Sequence, residues 1–126
     1  MNAPLQHSCL IVEDSPLMRQ LLALTVKRSG AEVMEASDGL AALKLLTQTK
    51  FDLLFIDLNM PVLDGMKLIK RVREDPMQEG AQICVVTTES TASAEEHARA
   101  LGANFYLRKP VHRRDVEQVL AEAFPE

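Results

Sequence analysis

Five short apolar runs alternate with longer amphipathic stretches along the 126-residue chain. The runs have the length of strands, and the stretches between them repeat their apolar residues at helical spacing. The predicted strands are Ser8–Glu13, Glu32–Ala36, Asp52–Asp57, Gln82–Thr87 and Asn104–Leu107. The predicted helices are Pro16–Ser29, Gly39–Thr47, Gly65–Glu74, Ala92–Leu101 and His112–Phe124. This alternation predicts an α/β protein with a parallel sheet.

The polarity of each run predicts its place in the sheet. The first, third and fourth runs are almost wholly apolar, as in strands that are covered on both faces, whereas the second and fifth are mixed, as at sheet edges. With right-handed crossovers, these constraints favour a flavodoxin-like (βα)5 doubly wound sandwich with a five-stranded parallel sheet in the order 2-1-3-4-5. In the first helix, an apolar stripe that we expect to be core is formed by Leu17, Leu21 and Leu24, with Met18, Leu22 and Val26 beside them.

Length and composition narrow the class of protein. The chain fits a short N-terminal tail over residues 1–7 and a single domain over residues 8–126. A net charge of −4 without a basic cluster argues against nucleic acid as a direct ligand. No signal peptide or bilayer-spanning segment is recognisable, so we expect a cytoplasmic protein that does not insert into membranes. Cys9 and Cys84 fall on non-adjacent strands without a CxxC spacing, which predicts buried free thiols.

Polar side chains follow four of the predicted strands at the points where these strands end. Glu13 and Asp14 close the first run, Asp57 closes the third, Thr87 closes the fourth, and Lys109 comes shortly after the fifth. The carboxyl ends of parallel strands lie along one edge of a sheet, and ligand sites form outside that edge. We therefore expect three carboxylates, a hydroxyl and an ammonium group to converge.

The chemistry of such a cluster indicates phosphate and a metal ion. Three neighbouring carboxylates repel one another, and each resists ionisation beside the others. A hard divalent cation, Mg²⁺ or Mn²⁺, resolves this conflict because it takes oxygen ligands. Lys109 supplies a point charge suited to phosphate, and Thr87 supplies a hydroxyl donor. An aspartate such as Asp57 can itself be the nucleophile and form an aspartyl-phosphate.

The motifs at these strand ends resemble those of the receiver domain of two-component response regulators, in particular its stand-alone, CheY-like type. They are Val12-Glu13-Asp14, Asp57-Leu58-Asn59-Met60-Pro61, Asp64-Gly65, Val86-Thr87 and Tyr106-Leu107-Arg108-Lys109-Pro110. The resemblance extends over residues 8–124. It implies a phosphorylation-switched signalling domain that changes its partner-binding face. Such a domain is not an enzyme beyond catalysing its own phosphorylation and dephosphorylation.

The resemblance also implies who delivers the phosphoryl group and what holds it. Asp57 would accept the group from a phosphohistidine on a sensor histidine kinase or a phosphotransfer protein. Asp14, Asp57 and the main-chain carbonyl of Asn59 would bind Mg²⁺ or Mn²⁺, with Glu13 acting through a water molecule. Thr87 would bind a phosphoryl oxygen.

Other roles follow from the same resemblance. Lys109 would bind a phosphoryl oxygen, and the Lys109–Pro110 peptide bond would be cis. Tyr106 would change rotamer as Thr87 moves. The altered surface would be the face made by the fourth helix, the fifth strand and the fifth helix, where a downstream protein would bind.

The chain departs from the usual family pattern at three positions. Glu13 replaces an aspartate with a longer carboxylate, and Val111 replaces a frequent phenylalanine. Thr88 stands where alanine is usual, and its bulk is expected to restrict access to the phosphoryl group. Asn59 and Glu89, which tune the lifetime of that group together with Thr88, match the pattern of a short-lived signal.

Alternatives to a stand-alone regulator remain open. The segment is equally suited to be an N-terminal receiver from a longer response regulator with an output domain. An aspartyl-nucleophile phosphatase of the haloacid dehalogenase type is disfavoured, because Asn59 stands where those enzymes place their acid/base aspartate. The acidic pair that supports dimers in the transcription-factor branch is replaced by Asn104 and Phe105, which predicts a monomer or weak dimer.

Overall fold

The computed structural model describes residues 6–125 as one five-stranded parallel sheet with helices on both faces. The strands are β1 (Ser8–Val12), β2 (Glu32–Ala36), β3 (Leu53–Asp57), β4 (Gln82–Thr87) and β5 (Phe105–Arg108). The helices are α1 (Pro16–Arg28), α2 (Gly39–Leu46), α3 (Gly65–Glu74), α4 (Ala92–Leu101) and α5 (Arg113–Ala123). The order β2-β1-β3-β4-β5 confirms the predicted topology. Residues 1–5 of the predicted tail and residue 126 lie outside the described part.

The predicted element bounds are correct to within one residue at each end. The differences arise where capping residues were counted as part of a helix. His112 is extended, with φ −102° and ψ 159°, and precedes α5 as its N-cap, while Ser29 follows α1 as its C-cap. A short 3₁₀ helix at Pro76–Gln78 was not predicted. Its signal was Asp75 followed by proline, because the Asp75 carboxylate accepts a hydrogen bond from the Met77 N–H.

The core consists of two layers on opposite faces of the sheet. Alternate strand residues face opposite sides, so Leu10 and Leu54 pack in the layer of α2, α3 and α4, whereas Cys9 and Phe55 pack in the layer of α1 and α5. Both cysteines are free and buried, as predicted. Burial raises the pKa of the Cys9 thiol to about 12.

Along residues 6–125, no helix has the length and apolar character to cross a membrane.

The predicted core stripe on α1 is wrong in part. Leu17 is 81% exposed and Leu24 is 47% exposed, whereas the buried face of the helix carries Leu22, Ala23 and Val26. Apolar residues surround much of α1, so helical spacing alone cannot choose which of them face the sheet. The packing of α1 against β1 and α5 determines which residues are buried. It leaves an apolar ridge on the surface, formed by Leu17 and Leu24.

Candidate functional site

Three carboxylates meet at the carboxyl edge of the sheet. Val12 pairs with Ile56 in the β1–β3 register, so the next residues, Glu13 and Asp57, leave their strands side by side. Carboxylate oxygens of Glu13, Asp14 and Asp57 lie within 4.8 Å of one another. Glu13 and Asp57 are buried and Asp14 is exposed. The three acids therefore lie together, as predicted, and their cluster is open to solvent on the side of Asp14.

A single lysine neutralises part of this charge. Lys109 directly follows β5, and its Nζ lies 3.0 Å from Glu13 Oε1 and 3.6 Å from Asp57 Oδ2. The Lys109 N–H donates to the Thr87 carbonyl over 2.7 Å, which ties the loop after β5 to the end of β4. The Lys109–Pro110 peptide bond is cis. One cation thus serves two buried acids.

The protonation of these groups reflects burial and their contacts with one another. Burial raises the pKa of Glu13 to about 7, opposed by the Ser15 N–H and by Lys109. Burial also raises the pKa of Asp57, opposed by the Asn59 N–H and by Lys109. Burial alone would lower the pKa of Lys109, but its contacts with Glu13 and Asp57 outweigh that effect and raise it. In both buried acids, the effect of burial on the pKa therefore outweighs the opposing effect of Lys109 and of the backbone N–H groups.

The donor set suits a hard cation. Among the described residues, the buried Oε1 of Glu13 has no partner in hydrogen-bonding geometry. Its 3.0 Å contact with Lys109 is an ion pair without the direction of a hydrogen bond. A buried carboxylate oxygen without a hydrogen bond, beside two further carboxylates, is a suitable ligand for a divalent ion that takes oxygen ligands. Glu13, Asp14 and Asp57 could hold such an ion.

Residues missed in the sequence analysis orient Glu13. The Ser15 N–H donates to Glu13 Oε2 over 3.0 Å, and Arg19 donates from Nη1 to the Glu13 carbonyl over 2.9 Å. Ser15 also caps α1. Its capping role was visible in the Ser15-Pro16 pair, whereas nothing in the sequence pointed to the contact of Arg19.

A side-chain network crosses the mouth of the site. The Asn59 amide donates from Nδ2 to Thr87 Oγ1 over 3.3 Å and to Thr88 Oγ1 over 3.1 Å. The Glu89 N–H donates to the same Thr87 hydroxyl oxygen over 3.2 Å. Two of the residues predicted to tune the phosphoryl lifetime, Asn59 and Glu89, thus contact Thr87, and Asn59 also contacts the third, Thr88. The amide of Asn59 joins the loop after β3 to the loop after β4.

Tyr106 connects β5 to the loop after β4. Its hydroxyl donates to the Glu89 carbonyl over 3.0 Å, and its ring is half-buried. Burial raises the pKa of this phenol. Because Glu89 also contacts the Thr87 hydroxyl, Thr87 and Tyr106 act on the same short segment of backbone.

The loop after β3 is closely packed and strained. A Cβ on Gly65 would overlap the Asp57 carbonyl oxygen and come within 2.7 Å of the Leu58 Cα, so only glycine fits there. Val62 has a φ of +72°, and the Leu63 N–H donates to the Pro61 carbonyl across it over 2.8 Å. A γ-turn at a β-branched residue is strained. The turn lies in the loop that carries Asn59.

Comparison with known proteins agrees with the fold. Residues 9–121 match the response regulator receiver domain family. The chemotaxis protein CheY homologue of Campylobacter jejuni is 37% identical over 117 residues, which cover 88% of this chain and 90% of that protein. The sensor histidine kinase RcsC of Salmonella typhi is 38% identical over 114 residues. These cover 89% of this chain but only 12% of RcsC.

Solved structures show the same architecture. The chemotaxis protein CheY4 of Vibrio cholerae superposes with a TM-score of 0.89 at 31% identity, covering 95% of this chain and 100% of that one. A response regulator from Chloroflexus aurantiacus superposes with a TM-score of 0.88 at 30% identity, covering 96% and 99%. The chain belongs to the response regulator receiver domains. Within that family it is a CheY-like, two-component signalling domain.

Proposed function

We propose that Asp57 is the residue on which this receiver domain accepts its phosphoryl group. The observation that carries this proposal is the position of the Asp57 carboxylate. It is buried at the end of β3, 3.6 Å from the ammonium group of Lys109, and close to two further acids. Asp14, by contrast, is exposed, whereas Asp57 and Glu13 are buried and each accepts one backbone hydrogen bond, from Asn59 and Ser15 respectively.

In the proposed reaction, a carboxylate oxygen of Asp57 attacks the phosphorus of a phosphohistidine. A P–O bond forms, the P–N bond breaks, and the imidazole leaves with its electron pair. Lys109 and Thr87 bind phosphoryl oxygens and offset the charge that reaches them. The role of Thr87 requires its hydroxyl to turn its proton toward the phosphoryl group, since its oxygen already accepts from Asn59 and Glu89.

The same site is proposed to use magnesium or manganese. Asp14, Asp57 and the main-chain carbonyl of Asn59 would hold the ion, and Glu13 would act through water. When bound, the ion supplies positive charge between the carboxylates and the incoming phosphoryl oxygens. The lack of a hydrogen bond to the buried Oε1 of Glu13 and the surplus of buried negative charge support this assignment.

The proposed output is a change in the surface formed by α4, β5 and α5. Thr87 would follow the phosphoryl group, and Tyr106 would respond because its hydroxyl contacts Glu89 two residues after Thr87. A downstream protein would bind that surface. We propose that the domain works in the cytoplasm, as a monomer or weak dimer, and without direct contact to nucleic acid.

The exposed ridge of α1 is proposed to contact the phosphodonor. Leu17 lies in the first turn of α1, two residues after Ser15, which contacts Glu13. Its side chain is 81% exposed although it is apolar. An apolar side chain beside the mouth of the site offers a contact for the helices of a histidine kinase or a phosphotransfer protein.

A receiver within a larger protein is the second candidate. RcsC, of which the chain matches 12%, is a sensor histidine kinase, whereas the CheY homologue is matched over 90% of its length. The two settings require the same chemistry at Asp57. They differ in whether the phosphodonor is a separate protein or lies in the same polypeptide.

The experiment that tests this function follows the phosphoryl group with a small phosphodonor and magnesium. Intact-mass measurement should show one phosphoryl group per chain, and chelation of magnesium should abolish its addition. Phosphate release should then stop near one equivalent per charging event. Release of many equivalents from a phosphate monoester, with no phosphoryl group found on the chain, would favour the phosphatase alternative and contradict the receiver assignment.

A further inference from the structure

The outer face of the Tyr106 ring is covered by an arginine from the same strand. The guanidinium carbon of Arg108 lies 5.7 Å from the centre of the Tyr106 ring. The two residues are separated by one position on β5, so their side chains lie on the same face of the sheet. A guanidinium at this distance from a phenol ring is attracted to the ring face.

Arg108 is held in that place by a glutamate on α4. Arg108 Nη2 donates to Glu95 Oε1 over 3.0 Å. The other oxygen of Glu95 accepts from Arg99 Nε, one helical turn along α4, also over 3.0 Å. Glu95 is therefore anchored within its own helix and presents its free oxygen to β5.

Tyr106 is thus held at two points. Its hydroxyl contacts the Glu89 carbonyl, and its ring face contacts Arg108. The first contact belongs to the loop after β4, and the second depends on an ion pair between α4 and β5. Movement of Tyr106 away from Glu89 would require the ring to leave the guanidinium or to carry Arg108 with it.

We propose that Glu95 and Arg108 are positioning residues for Tyr106, and that their ion pair favours the ring position in which the Tyr106 hydroxyl contacts Glu89. The pair is about half exposed at Arg108, so it adds little to the stability of the fold. The ion pair instead changes the ratio between the ring position in which the Tyr106 hydroxyl contacts Glu89 and a position in which it does not. The signalling consequence rests on the proposed function, because a partner that competes for Arg108 would then shift Tyr106.

The chain offers a direct probe of this proposal. Tyr106 is its only tyrosine and there is no tryptophan, so intrinsic tyrosine fluorescence reports on this ring alone. Quenching by acrylamide measures how open the ring is to solvent. The measurement uses the unphosphorylated protein, so its outcome does not depend on whether Asp57 accepts a phosphoryl group.

The decisive variant is Glu95→Gln, which leaves every atom of Arg108 in the protein but weakens its anchor. We expect its quenching constant to rise about 1.5- to 3-fold, since a cation–π contact at a partly exposed site changes an equilibrium by only a few-fold. Arg108→Ala should show at least the same rise. Glu117→Gln is the matched control, because it makes the same change in an exposed ion pair on α5, with Arg113, and should leave quenching unchanged.

A second readout follows the hydroxyl contact. The amide of Ser90 belongs to the peptide unit whose carbonyl accepts from Tyr106, so its chemical shift depends on that hydrogen bond. The shift should move in Glu95→Gln and Arg108→Ala and stay in place in Glu117→Gln. Unchanged quenching and an unchanged Ser90 shift in the folded Glu95→Gln variant would overturn the proposal. Equal effects of Glu117→Gln and Glu95→Gln would also overturn it.

Discussion

Lys109 Nζ lies 3.0 Å from the buried Oε1 of Glu13, closer than the 3.6 Å that separates it from Asp57 Oδ2. In the unphosphorylated domain, the lysine that is proposed to bind the phosphoryl group therefore contacts mainly a neighbouring acid, Glu13. Two buried carboxylates share one cation. The negative charge that Lys109 does not neutralise lowers the stability of the metal-free fold. Phosphorylation and metal binding would both act on this imbalance.

We expect Glu13→Gln to stabilise the metal-free domain at pH 8. Burial raises the pKa of Glu13 to about 7 from about 4.5 in an unfolded chain. Between these values the folded protein holds a proton that the unfolded chain has released, so wild-type stability falls as the pH rises through this window. Glutamine carries no charge, and we expect a gain of roughly 1–2 kcal/mol at pH 8 and little change below pH 5.

The measurement for this variant is urea unfolding in a chelating buffer at both pH values. Added magnesium should reduce the advantage of Glu13→Gln, because the wild type offers the ion one more carboxylate. Parallel stability profiles of the two proteins across the pH range would contradict the raised pKa of Glu13.

Asp14→Asn should weaken magnesium binding without destabilising the fold. Asp14 is exposed, so its charge is available to a cation while few packing contacts depend on it. We expect the affinity to fall more than about tenfold, equivalent to a loss of about 1.4 kcal/mol or more. Calorimetric titration checks this, with Glu32→Gln as the control. That change also removes one exposed acid, but at the opposite end of the sheet, where Glu32 pairs with Ser8.

Substitutions at Thr88 should separate the effect of its bulk from that of its hydroxyl. The hydroxyl oxygen accepts from the Asn59 amide, so Thr88→Val keeps the size but frees the amide. Loss of one hydrogen bond should raise the dephosphorylation rate by about two- to tenfold, whereas Thr88→Ser should remain near the wild-type rate. Thr88→Ala should leave the rate unchanged or raise it. Phosphate release after charging measures all three, and a clear slowing in Thr88→Ala or Thr88→Val would refute the screening role.

Addition of a beryllofluoride mimic with magnesium should alter amide chemical shifts from Thr87 to Leu101 and around Tyr106. The reason is that Thr87 and Tyr106 contact the same backbone segment at Glu89. Thr87→Ala removes the hydroxyl and should reduce the changes at Tyr106 and along α4. Changes confined to the acid cluster would mean that a partner recognises the phosphoryl pocket directly.

The fold and the meeting of three acids at one sheet edge were predictable from the sequence because both follow from the pattern of apolar runs and of the residues that end them. Strand polarity distinguishes edge from central strands, and acids at the ends of neighbouring parallel strands must meet. The exposure of Leu17 and Leu24 was not predictable, since it depends on how α1 rotates against the sheet.

Side-chain contacts between distant segments were also beyond the sequence. The bond from Asn59 to Thr88 joins two loops, and the pair of Glu95 and Arg108 joins a helix to a strand. Such contacts depend on distances of a few ångströms between elements whose relative position is set by the whole core. A pattern of residue types along the chain carries no information at that scale.

The assignment of Asp57 is tested most directly by locating the phosphoryl group after charging with a small phosphodonor and magnesium. The wild-type protein should gain one group that is stable in acid and released by hydroxylamine, as expected for an acyl phosphate, and peptide mapping should place it on Asp57. Asp57→Asn should gain none, while Asp14→Asn should be charged more slowly. Labelling of Asp57→Asn to the wild-type level would contradict the assignment.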